Sequence, residues 1–178
     1  DKRVLQCAAV IGKDVPLPLL EAIADVSDDD LRRSVHQLQA AEFLYETSLF
    51  PVFEYTFKHA LTLDVAFGTL LQDRRRALAA RLVAAIEGLS GERTIDQVER
   101  LAHHAFRGSV WDKAVAYCRE AGARAFARSA HRTDVRYFEQ ALQAIEHLPK
   151  SPGTLAQGID LRLELRAALA PIGEYGRM

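Results

Sequence analysis

The stretch YTFKHALTLDVAFGTLL, residues 55–71, changes its hydrophobic period in mid-course, and that change limits what the chain can fold into. Up to Phe57, aromatic residues alternate with polar ones: Phe43 and Tyr45, then Phe53, Tyr55 and Phe57, on either side of TSLFPV (47–52). A period of two belongs to strands, so two such runs around a loop predict a β-hairpin. After residue 60 the strand period does not return. Leu61, Val65, Leu70 and Leu71 begin a helix, and Leu78, Leu82, Ala85, Ile86 and Leu89 form the stripe of another, whose opposite face carries Arg74, Arg75 and Arg81.

The residues ahead of the hairpin predict helices. KRVLQCAAVI (2–11) reads as a short helix closed by Gly12, and PLPLLEAIAD as a second, with proline tolerated in its first turn. In the third, Ser27 is a good N-cap and Asp28, Asp29 and Asp30 fill the first turn, where the helix dipole favours negative charge. Leu31, Val35, Leu38 and Ala41 make its expected buried stripe. Three helices followed by a hairpin is the winged-helix arrangement.

From residue 60 on, the pattern predicts antiparallel helices. SGER (90–93) reads as a linker, followed by a short helix with Leu101 and Ala105. Further helices are expected from Val110 to about Ala130, from Thr133 to Leu148 ahead of Pro149, and from Thr154 to about Ala170. KAVAYCREAG (113–122) and TDVRYFEQAL (133–142) share Val, Tyr and Ala at matching places, with Gly108, Trp111 and Ala114 punctuating the first copy. Small residues at such places permit close helix crossing, as in tetratricopeptide-type hairpins. The 20-residue offset is short of a 34-residue repeat, and Asp134 replaces an expected alanine, so an irregular repeat segment and a plain helical bundle both remain open. The expected fold is mainly α, with a winged-helix-like domain at 1–72 and a helical bundle or tetratricopeptide-like segment at 73–178.

Apolar residues make up 49% of the 178, enough for one domain or two small ones. Cys7 and Cys118 lie far apart with no CxxC pair, which argues against a disulfide framework or a cysteine zinc site and suits a reducing cytoplasmic setting. The chain has no run of 18 apolar residues and no signal-peptide pattern, so no membrane partner is expected, and its start at Asp1 suggests a fragment of a longer protein. The net charge of −1 conceals a gradient: −5 over residues 1–70, +5 over 71–132 and −1 over 133–178. Such a gradient can dock domains but is too weak to announce nucleic acid.

No catalytic motif stands out, and no enzyme is expected within this segment. Gly12-Lys13 resembles the end of a P-loop, but Cys7 stands where GxxxxGK[ST] needs glycine and Asp14 where it needs Ser or Thr. His103 and His104 point about 100° apart on a helix, which does not suit a metal, so one is expected to pack and the other to be solvated. Trp111 reads as a packing anchor. Arg74, Arg75 and Arg76 read either as a solvated face or as an interaction patch for phosphate or an acidic domain surface.

In their order, QCAAVIGKDVPLPLL, LRRSVHQLQAAEFLYE, YTFKHALTLDVAFGTLL, RRRALAARLVAAIE, LAHHAFRGSVWDKAVAYCREAG and YFEQALQAIEHLP carry a resemblance. The chain resembles the region after the ATPase module in large bacterial signal-transduction ATPases, which are often fused to class III adenylate or guanylate cyclase domains. The resemblance implies a P-loop domain upstream, a winged helix, and tetratricopeptide-like repeats that bind a protein partner. It implies that His59, in FKHALTLDVA, meets the β-phosphate of ADP held by the neighbouring nucleotide-binding domain, with Lys58 as a phosphate neighbour. ATP or ADP would then belong to that domain and no cofactor to this segment, and exchange of ADP for ATP would release the winged helix to rearrange or to form a homo-oligomer. The plainer reading of His59 is a helix cap or a backbone partner in the core. The rival function is a DNA-binding winged-helix regulator with a helical sensor or dimerisation domain. Arg33, His36 and Gln37 favour it, whereas residues 27–47 carry a net charge of −3, which phosphate would repel.

Overall fold

The computed structural model describes residues 1–48, 53–91, 94 and 97–173. These are mainly helical, with nine α-helices and one three-stranded antiparallel sheet among them. Contacts divide the chain into two compact units, Asp1–Leu89 and Ser90–Met178. The boundary falls at the expected SGER linker, of which residues 92 and 93 lie outside the described residues; the helix that begins at Gln72 goes with the first unit.

In the first unit, α1 (Lys2–Ile11) buries Val4, Cys7, Ala8 and Ile11 and stops at Gly12. The φ of 127° at Gly12 is open to glycine but strained for other residues. Next comes a strand that the sequence reading missed, β1 (Asp14–Pro16), which is too short to show a period. Helix α2 (Leu17–Ala24) then buries Leu19, Leu20 and Ile23 and ends at Asp25 in the left-handed conformation.

Helix α3 (Asp28–Ala40) starts as its sequence predicts: the Ser27 hydroxyl accepts a hydrogen bond from the Asp30 N–H, and Leu31, Val35 and Leu38 are buried. Ala41 is exposed, contrary to its place in the expected stripe, because the helix ends at Ala40 and the chain reverses through Glu42 at φ 60°. The Phe43 N–H donates back to the Leu38 carbonyl, closing the helix end.

The expected hairpin is present as β2 (Leu44–Ser48) and β3 (Glu54–Phe57), paired antiparallel; the central part of its loop, 49–52, lies outside the described residues. The sheet order is β1-β3-β2, and the Thr56 hydroxyl donates to Asp14 Oδ1 at 2.9 Å across the β1–β3 pair. Leu44, opposite Phe57, is the residue of β2 that enters the core, whereas Phe43 and Tyr45 remain exposed.

Helix α4 (Ala60–Gly68) packs on α1 along a narrow edge and fully buries only Ala66. Leu61 and Val65 of this helix are 72% and 57% exposed; Leu70 and Leu71, expected in the same helix, lie beyond its end at Gly68, Leu70 buried and Leu71 80% exposed. Helix α5 (Gln72–Ser90) buries Leu78, Ala79, Leu82, Val83 and Ile86, while Ala85 is half-buried and Leu89 exposed at the end of the stripe.

The second unit consists of α6 (Val98–Arg107), α7 (Trp111–Ala127), α8 (His131–Ile145) and α9 (Pro152–Leu169), each packed on the next. Pro152 lies in the first turn of α9, which Ser151 and Thr154 close with a capping box. The 20-residue offset seen in the sequence is one helix plus its turn. Ser109 and Ser129 adopt φ of 56° and 58°, and the next residues, Val110 and Ala130, donate to the carbonyls of Ala105 and Ala125. The buried residues repeat at the same offset: Ala114 with Asp134, Val115 with Val135, Cys118 with Phe138, and Ala121 with Ala141. Gly122 breaks the likeness usefully, because the Phe138 ring occupies the space where a Cβ would lie, 2.8 Å from its nearest atom.

Candidate functional site

The change of period at Lys58–His59 becomes a sharp handover from sheet to helix. Phe57 is buried and its N–H donates to the Lys13 carbonyl, while the Lys58 N–H donates to the Phe43 carbonyl. These two bonds fix the backbone on both sides of the junction. Lys58 Nζ reaches Glu42 Oε2 at 2.7 Å, and this hydrogen bond, followed by the lysine's charge and that of His59, holds the Glu42 carboxyl below the usual carboxylate range.

His59 is the N-cap of α4, in an extended conformation at φ −131° and ψ 131°. Its carbonyl accepts from the Thr62 N–H at 3.1 Å, but its side chain makes no capping hydrogen bond and is exposed. The imidazole is therefore neither a core group nor a cap. An exposed imidazole and an ammonium group beside the positive end of a helix dipole form a surface suited to an anion, with Glu42 as competitor for the ammonium.

The arginines occupy a separate place. Arg75 Nη2 donates to the Gly68 carbonyl at 3.0 Å, and its guanidinium lies 4.5 Å from the centre of the Phe67 ring. It thus pins the corner between α4 and α5, with its Nε buried and unpartnered. Arg74 is half-buried, and Arg76 is exposed. The nine residues of α4 put His59 and Arg75 at opposite ends, on the order of 13 Å apart. The five basic positions therefore do not form one site.

Of the adjacent histidines, His104 is buried and His103 exposed, as their angular separation predicts. Burial, with smaller repulsion from His103, Arg100 and Arg107, lowers the His104 pKa from 6.5 to about 3, so the ring is neutral at ordinary pH. Trp111 stacks on His147 at 4.1 Å and meets Phe106 edge-on, a packing role. Cys7 and Cys118 are buried free thiols, and burial pushes Cys118 up to about 12. Among the described residues no His/Cys/Asp/Glu group able to hold a metal occurs, and no helix is long and apolar enough to cross a membrane.

No family model matches the chain, and no solved structure matches it. Among curated proteins it is similar to an uncharacterized protein of Rhizobium meliloti (strain 1021), at 29% identity over 172 residues, or 96% of this chain. Those residues make up 16% of the relative, so the chain spans about a sixth of that protein's length.

Proposed function

We propose that this chain is a non-catalytic regulatory and protein-interaction segment of a larger ATP-dependent signalling protein of the adenylate/guanylate cyclase-linked ATPase type. Its first unit docks, as a winged helix, on a neighbouring nucleotide-binding domain. The observation that carries this reading is the exposed, uncommitted imidazole of His59 at the sheet-to-helix handover. The element order α1-β1-α2-α3-β2-β3 with sheet order β1-β3-β2 supports it, since a winged helix has that order. The length of the Rhizobium relative is consistent with a segment of a larger protein.

In this reading His59 donates to the β-phosphate of ADP in the adjoining domain, and Lys58 leaves Glu42 to join it. The second unit acts as a tetratricopeptide-like partner-binding segment, and its 20-residue helix-and-turn unit favours a repeat over an unpatterned bundle. DNA binding is the weaker reading, because Asp28, Asp29 and Asp30 are exposed at the start of α3 and Arg33 is paired with Asp30. The test is association of this chain with the separately purified nucleotide-binding module of its parent. Binding in ADP that is lost in ATP is expected. Equal binding in both nucleotides, or none in either, contradicts the docking.

A further inference from the structure

We infer that the outer face of α9 is an interface inside the parent protein, covered by the next helix of the same chain, an amphipathic one with acidic residues along one flank. The inference deepens the repeat reading of the second unit and rests on the reading of this chain as a segment of a longer protein.

Helix α9 is apolar on two sides. Gly158, Leu161, Ala168 and Leu169 are buried, and a Cβ added at Gly158 would meet Ile145 of α8 at 3.9 Å, which places this side on α8. Leu155, Ile159 and Leu163 follow one another at four-residue steps, so they share another face. They are 61%, 60% and 59% exposed, and Ala156 and Ala167 beside them are exposed as well. Single exposed apolar residues are ordinary, whereas a contiguous row marks a contact surface. A helix with apolar residues on opposite sides belongs between two neighbours. Helix α7 lies between α6 and α8, and α8 between α7 and α9, whereas α9 is the last α-helix among the described residues.

The face is small for a second copy. An 18-residue helix is about 27 Å long and about 10 Å wide, so one side offers on the order of 270 Å². A stable dimer takes about 800 Å² from each partner. A neighbour in the same chain avoids the entropy cost of association, and a face of this size is enough for it.

The course of the chain favours the same occupant. The turns from α6 into α7 and from α7 into α8 pass through Ser109 and Ser129 at positive φ. Their N–H groups donate to the carbonyls three residues back, Phe106 at 3.2 Å and Phe126 at 2.9 Å, and a helix starts two residues later in both, at Trp111 and His131. Gly173, after the 3-10 turn Ala170–Ile172 that ends α9, has φ 72°, and its N–H donates to the Ala170 carbonyl at 3.3 Å. The chain thus leaves α9 through the kind of turn by which it enters α7 and α8. The Rhizobium relative, of which the matched residues are 16%, is long enough to hold further helices.

Charge sets the chemistry of the covering helix. Helical spacing puts Asp160 and Glu164 along one edge of the apolar row and Arg162 and Arg166 along the other. Glu164 is already held by Arg119 of α7, at 2.6 Å from Nη2. Arg162 Nη1 donates to the Gly158 carbonyl of its own helix, and neither Arg162 nor Arg166 has a carboxylate partner among the described residues. Carboxylates on the covering helix complement that edge, as flanking charges do between paired helices.

The test is thiol labelling of Leu163→Cys in the parent protein and in the same protein ended at Met178, read by mass on the peptide that carries residue 163. Labelling should be fast in the shortened protein and roughly tenfold slower in the parent. Adding Ile159→Asp to the parent, with the fold checked by circular dichroism, should restore the fast rate. Equal rates in the two proteins overturn the inference, as does protection that Ile159→Asp leaves intact. Slow labelling of the shortened protein that quickens on dilution also overturns it, since a second copy would then cover the face. Failure of the docking reading shows separately, in the nucleotide-dependent association, because labelling requires no nucleotide.

Discussion

His104 shows how one residue ties stability to pH. Its imidazole is neutral and buried, with a pKa near 3, whereas in the unfolded chain it returns to its ordinary 6.5. As pH falls through 6.5 the unfolded chain takes up a proton that the folded chain refuses. Stability therefore declines from about pH 6.5 to about pH 3 and is level in this respect above 6.5. The full span corresponds to roughly 3–5 kcal/mol. Urea melts of the native chain and His104→Leu between pH 7.5 and 4 check this: the stability gap between them should shift in favour of the leucine variant as pH falls. A gap that does not change with pH would mean that the imidazole is solvated.

The same scale shows what a side-chain pattern carries. The angular separation of His103 and His104 foretold that one would pack and the other face solvent. The sequence also marked the position of His59, since only a change of period could place it at the handover from strand to helix. It did not carry the exposure of that ring or the pairing of Lys58 with Glu42. That pairing depends on Glu42 adopting a left-handed conformation in a turn 16 residues away, a tertiary fact with no local signal. Arg119 and Glu164 were missed for the same reason: they lie 45 residues apart, on helices whose facing sides only packing determines.

Among the elements, the best-marked ones were legible almost to the residue. Helix α1 matches its expected span, and the Ser27 cap is formed as its chemistry predicts. Strand β1 escaped because three residues ending in proline have no periodicity. Leu61 and Val65 marked α4 as a helix but not its exposure, because apolar spacing states which face is apolar, not whether a neighbour covers it. The turns of the second unit were hidden for a different reason, since serine rarely marks a left-handed helix end and glycine usually does. Ser109 and Ser129 hold that conformation against its steric cost, of about 1 kcal/mol each. Replacing either with glycine should therefore stabilise the chain by up to about 1 kcal/mol, less the entropy glycine adds to the unfolded state. Thermal melts should show a rise of a few degrees for the double variant; a fall in both single variants would show that the serine hydroxyls are needed.

The molecule as a whole carries a charge gradient along a chain of two compact units. Residues 1–70 are acidic and residues 71–132 basic, yet the cations singled out in the sequence are divided between the two ends of α4. Arg75 holds the α4–α5 corner, whereas the His59 ring is exposed, so the phosphate contact proposed above falls to the junction and not to the arginine run.

The most direct test of the docking account is ADP affinity, measured by calorimetry on the longer protein that contains the nucleotide-binding domain, comparing the native protein with His59→Ala. Since His59 is exposed and makes no capping bond, the variant should fold normally. The account predicts a loss of ADP affinity of roughly tenfold, about 1.4 kcal/mol, with ATP affinity unchanged. Unchanged ADP affinity in a folded variant would contradict it.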